Sequence, residues 1–184
     1  MRLGTAPIWI GLGTFLAVLY GIANDQITVT LSPEYFSVFK RAQFGPALDA
    51  AGLSQAPTRV QAVLVGSLAT WWFGGFLGIA LSVIGVAGRR RPLPTRDYLR
   101  AVVAIMLFTL CLSFFCGMVS FIMEPAIKPT VEGWPFLTGI HAVRAAFAVG
   151  WWHNGAYLGG ALGTLLAGIW IRKRRGGLAK IPNL

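Results

Sequence analysis

Four stretches of this chain, residues 3–24, 60–88, 101–123 and 145–171, contain no Asp, Glu, Lys or Arg. Each reaches the roughly 20 residues that a helix needs to cross the hydrocarbon of a bilayer. In lipid a backbone must satisfy its own hydrogen bonds, so a helix is the form such a run takes. The composition agrees: 55% of the residues are hydrophobic and only 12% charged, where soluble domains carry roughly 25%. The chain reads as one all-α integral membrane domain over residues 1–184, a four-helix bundle with spans at about 5–24, 62–87, 100–123 and 146–171.

The basic residues sort by side. Arg2, Arg89, Arg90, Arg91, Arg96, Arg100, Arg172, Lys173, Arg174, Arg175 and Lys180 fall on one side, against Lys40, Arg41, Arg59, Lys128 and Arg144 on the other. That bias puts both termini in the cytoplasm. The Arg-Arg-Arg run is a topology anchor rather than a nucleic-acid patch, and the bilayer is the partner the composition names. Five of the six acids, Asp25, Glu34, Asp49, Glu124 and Glu132, lie on the outer side. Residues 1–23 also resemble a signal peptide with Gly21-Ile22-Ala23 as a small-x-small site; the segment is long enough to cross, and we read it as retained. Cys111 and Cys116, five apart on a helix, point about 140° from each other and cannot bridge. They read as small buried hydrophobes.

Where the first run ends, the chain reads Asn24-Asp25-Gln26, then Ile27-Thr28-Val29-Thr30-Leu31, then Ser32-Pro33-Glu34-Tyr35-Phe36. The polar trio is placed to finish a helix. The alternating β-branched run predicts an extended segment across the tops of the helices. Ser32 as N-cap, Pro33 at the first helical position and Glu34 in the first turn predict a new helix. Its Tyr35, Phe36 and Phe39 share one side, followed by Lys40 and Arg41, which describes a short amphipathic helix in the outer interface.

Small residues mark the faces where membrane helices pack. One stripe holds Gly11, Thr14, Val18, Gly21 and Asp25, and a second holds Ser67, Trp71, Gly74, Gly78, Ser82 and Gly85. A third holds Thr109, Ser113, Cys116, Gly117, Ser120 and Glu124, and a fourth holds Ala146, Gly150, His153, Tyr157, Gly160, Thr164 and Gly168. These faces should point inward. Trp71-Trp72 and Trp151-Trp152 then stand at matching depth as an outer aromatic belt. Asn154 falls instead with Phe147, Trp151, Leu158 and Leu165, a side otherwise given to lipid.

Ionisable groups at membrane depth are costly and mark ion, proton or substrate sites. Asp25, Glu124 and His153, with Glu34 delivered by the loop and Asn154 beside them, are the candidate ligand-binding set for an outward-facing polar site. Carboxylates with an imidazole suit a divalent metal or a proton; the bland alternative is that they are ordinary helix-end residues. No closed zinc spacing, nucleophile elbow, phosphate loop or dinucleotide fingerprint occurs in a workable context. Both histidines belong to the last loop and last span, so two helices cannot clamp a haem between them. A second function class is an accessory or assembly subunit, packing its glycine-rich helix faces against other membrane subunits.

The segments NDQITVTLSPEYFSVFK and WWHNGAYLGG resemble a family of small bacterial multispanning proteins with an Asp-Gln-Ile-Thr then Ser-x-Glu-Tyr-Phe signature after the first span. The resemblance covers about a quarter of the chain. It implies a bacterial cytoplasmic (inner) membrane location and names no substrate. Where such proteins carry His before the Asp, this chain has Asn24, which weakens a metal site there.

Overall fold

The computed structural model describes residues 6–86, 93–130 and 133–178. Arg2, Arg89, Arg90, Arg91, Glu132 and Lys180, which the sequence assigns to one side of the membrane or the other, lie outside the described residues. The protein is all-helical, with no strand among the described residues. Its helices are α1 (Ala6–Leu31), α2 (Arg41–Ala50), α3 (Thr58–Val86), α4 (Thr95–Ile127) and α5 (Val143–Leu178), with a π-helical segment at Tyr35–Lys40 and a 3-10 turn at Pro135–Leu137. Three of them, α1, α3 and α4, are long and apolar enough to cross a membrane.

The long helices form two pairs, α1 with α3 and α4 with α5, and the pairs meet mainly through α3 and α5. The small-residue stripes make the first pairing possible. A Cβ built on Gly66 would sit 2.6 Å from the Gly21 carbonyl oxygen, so only glycine lets these two backbones come so close. In the second pair, a Cβ on Gly117 would lie 2.9 Å from the Trp152 ring. The glycine faces are thus used between helices of this chain, although Gly11 faces open space.

Apolar packing concentrates in two clusters. One, at the end where the Tyr35–Lys40 segment packs, joins Val29, Tyr35, Phe36, Ala62, Val65 and Val149 to Leu137 and Ile140 of the α4–α5 loop. The other, at the basic end, joins Leu81, Leu93, Tyr98, Ile105 and Ile171. A cavity lies between them.

Several expectations are corrected. Residues 27–31 are not extended; they continue α1 to Leu31. β-branched residues disfavour a helix only slightly, and here tertiary structure decides. Thr28 Oγ1 donates to the Asn24 carbonyl at 3.0 Å, Thr30 Oγ1 to Gln26 at 2.8 Å, and Val29 is buried against Ala62 and Val65. Gln26 Nε2 donates to the Arg59 carbonyl at 2.9 Å, so α1 and α3 extend together.

Trp152 is no belt residue. Gly117 opens a slot for its ring, and its Nε1 donates to Asn24 Oδ1 at 2.7 Å. Phe147 is fully buried because Trp134 of the loop packs on it at 5.1 Å. Cys111 is exposed and Cys116 half-buried, both free.

Candidate functional site

Ser32 does cap the helix that follows it: its Oγ accepts the Tyr35 N–H at 3.3 Å. Beyond that cap the chain winds as a π-helix over Tyr35–Lys40. A π turn hydrogen-bonds five residues apart rather than four, so Lys40 returns beneath Tyr35 instead of rotating outward. Its Nζ stands 6.0 Å from the Tyr35 ring centroid and 5.5 Å from that of Phe44, and Lys40 is only 5% exposed. From the sequence, Lys40 stands only as a basic residue following the aromatic side of an interfacial helix. This segment is a lid, with the Tyr35 ring stacked on His153 at 5.5 Å and 13°.

Glu34 latches the lid down. Its Oε2 accepts the backbone N–H of His141 at 2.9 Å and of Ala142 at 2.7 Å, just ahead of α5. Two backbone donors on one carboxylate favour its charged form. The bond from Ala142 outweighs the desolvation and, with the weaker help of the bond from His141, holds Glu34 below the usual carboxylate range. The Lys40 ammonium is pushed down by burial and held up in part by the charge of Asp25. Burial also pushes the Tyr35 phenol far up.

Under the lid, Asp25 Oδ1 of α1 faces His153 Nδ1 of α5 at 3.9 Å, too long for a hydrogen bond. Asp25 is 2% exposed and His153 8%. Asp25 Oδ2 and His153 Nε2 are both buried and without a hydrogen-bond partner. Most buried polar atoms in proteins are paired, so an orphan on each of two facing residues calls for a cause. Both residues line the cavity, of about 90 Å³, which runs down the core to Tyr98 and Met106 and is otherwise mainly glycine and aliphatic. Tyr20, Phe73 and Tyr157 supply aromatic rings to its wall.

Of the five sequence-predicted residues, the structure therefore joins Asp25 and His153, and brings Glu34 in as a latch rather than a ligand. Glu124 is half-buried on α4, its carbonyl accepting the Lys128 N–H at 2.8 Å, and it does not line the cavity. Asn154 is exposed. Among the described residues no group of three His, Cys, Asp or Glu side chains gathers to hold a metal ion. Lys40 was missed for want of the π turn, and Tyr20 and Phe73 because aromatic residues in a span carry no signal separating wall from lipid face, whereas Tyr157 stood on the inward stripe without being named for the site. In comparisons with protein-family models, curated proteins and solved structures, nothing matches this chain.

Proposed function

We propose that the chain is a bacterial inner-membrane protein, a four-helix transmembrane bundle with both termini cytoplasmic, whose Asp25–His153 pair is an outward-facing site for an ion or small polar ligand. One observation carries the reading: Asp25 and His153, on two helices, face each other at the head of a cavity, and each keeps a buried polar atom without a partner. A charge buried without full pairing is expensive, and a fold keeps it where function uses it. As the fourth span, α5 presents Leu158, Leu165, Leu166 and Ile169 outward between the lid end and Arg172. Residues 33–50 then lie in the outer interface, with Tyr35 and Phe36 turned to the core.

The test is thermal unfolding of the detergent-purified chain against a panel of inorganic ions and small polar molecules, beside Asp25→Asn and His153→Ala. A ligand that raises the Tm of the wild type but of neither variant supports the site. Equal responses in all three overturn it. The accessory-subunit reading draws on Asn154, an exposed amide flanked by exposed Leu158 on an apolar face, since such amides join membrane helices. A photo-crosslinker at position 154 that captures a partner helix in cells supports that reading, and lipid adducts alone count against it.

A further inference from the structure

We infer that the ligand of the Asp25–His153 site is a small primary ammonium compound, a few heavy atoms long, which competes with the protein's own Lys40. The inference rests on the site proposed above and names its chemistry. Asp25 Oδ2 is an acceptor, and so is His153 Nε2 when the imidazole carries its proton on Nδ1 toward Asp25. A buried carboxylate oxygen without a partner, on a residue that lines a largely apolar cavity, calls for a donor that also carries positive charge. An ammonium has three N–H donors and brings the charge that a buried carboxylate lacks.

The wall agrees with a cation. Phe73 and Tyr157 meet edge to face at 5.7 Å and 89°, and with Tyr20 they line the same cavity. Aromatic rings beside a carboxylate attract alkylammonium groups. Size sets the class further. About 150 Å³ of apolar cavity accepts benzene, so about 90 Å³ admits only about three or four heavy atoms. The glycine and aliphatic part of the lining suits a short hydrocarbon body, and the remaining polar groups, Asn24, Thr70, Thr109 and the tyrosine hydroxyls, are neutral and offer no counter-charge to a second charged end.

The lid already shows the chemistry at work. Lys40 is an ammonium on an aliphatic stem, buried among aromatic rings, with Asp25 close enough to hold part of its basicity. It does not line the cavity; it stands against the Tyr35 ring, which stacks on His153. An ammonium arriving from the cavity side shares the same carboxylate, and the two cations repel. Removing the charge of Lys40 should therefore strengthen binding, which few other substitutions in a binding site would do.

The experiment is equilibrium binding of radiolabelled ethylammonium to the full chain in lipid nanodiscs, for wild type, Asp25→Asn and Lys40→Met, with ethanol as the neutral competitor. Expected are saturable binding to the wild type, loss in Asp25→Asn, several-fold tighter binding in Lys40→Met, and no displacement by ethanol. Ethanol displacing the probe overturns the cationic class. No saturable binding in either wild type or Lys40→Met, both folded by thermal unfolding, overturns the inference. If the ligand panel has meanwhile found another compound that distinguishes Asp25→Asn, the site stands and only the ammonium class falls. If nothing distinguishes that variant, both fall.

Discussion

Two aspartates are withdrawn from solvent to the same degree in this molecule, and they are treated in opposite ways. Asp97, near the start of α4, has a side chain 4% exposed and accepts from Arg100 Nη1 at 3.1 Å and from Arg174 Nε of α5 at 3.0 Å. Asp25, on α1, has a side chain 3% exposed, faces an imidazole at 3.9 Å and keeps one oxygen unpaired. Asp97 is a tie: each oxygen has an arginine, one along its own helix and one that pins α4 to α5. Asp25 is an opening. Burial alone does not mark a functional carboxylate; what marks it is a partner left missing where a cavity begins.

The largest effect comes from breaking the seam that gives Asp97 its second arginine. A Cβ on Gly159 would lie 2.8 Å from Thr109 Cα, so Gly159→Leu must push α5 off α4. A cost of about 3 kcal/mol or more follows from overpacking at backbone contact. Loss of a monodisperse peak in size-exclusion chromatography is the expected outcome. A folded, stable variant would mean that the α4–α5 pairing is looser than this geometry requires.

Next come the aspartates themselves. Asp97→Asn removes the charge from two charge-assisted hydrogen bonds whose arginines are about half exposed. The expected loss is about 2 kcal/mol, read as a lower Tm in detergent. Asp25→Asn removes a charge that nothing fully pairs, so its Tm should stay level or rise. The comparison inverts if Asp25→Asn proves the more damaging of the two, for then Asp25 too is a structural tie.

How much of this contrast was legible in the sequence follows from what periodicity encodes. Charge-free runs gave the long helices, and the small-residue stripes put Asp25 and His153 inward, because glycine and alanine faces are read in steps of three and four. Those steps did not single out Lys40, whose place under Tyr35 depends on a π turn, and the alternating β-branched run ended α1 early, although Thr28 and Thr30 bond back to their own helix. Trp152 was given to a belt by depth alone, whereas its place depends on Gly117 in another helix and Asn24 in a third. Asp97 was not singled out at all. An acid among arginines near a helix start looks like ordinary charge balance until a second helix supplies its partner.

A smaller effect separates the lid from the body. Glu34 ionises more readily in the folded protein than in the unfolded chain, because Ala142 and His141 donate to its carboxylate. Between its lowered folded pKa and its ordinary value the unfolded state binds more protons, so the latch stabilises in full above the ordinary value. That contribution is lost as pH falls through the folded pKa. Glu34→Gln at neutral pH should therefore imitate acidification of the wild type. The expected readout is faster hydrogen exchange over residues 35–50 with little change in the four long helices. Exchange that accelerates throughout would show that the lid and the bundle open as one unit.

The smallest effect is expected at Glu124 and Asn154, which the sequence placed beside His153. Asn154 follows His153 directly, yet successive residues on a helix diverge by about 100°. The side chain that shares the sequence neighbourhood therefore leaves the site, whereas Tyr157, four residues on, lines it. Glu124 has a similar fate on α4: Gly117, two turns earlier in its stripe, meets Trp152, but the cavity closes short of the helix end. Glu124→Gln and Asn154→Ala should change stability by no more than about 0.5 kcal/mol and leave ethylammonium binding as in the wild type. A clear loss of binding in Glu124→Gln would extend the site along α4 and make the carboxylate of Asp25 one of two.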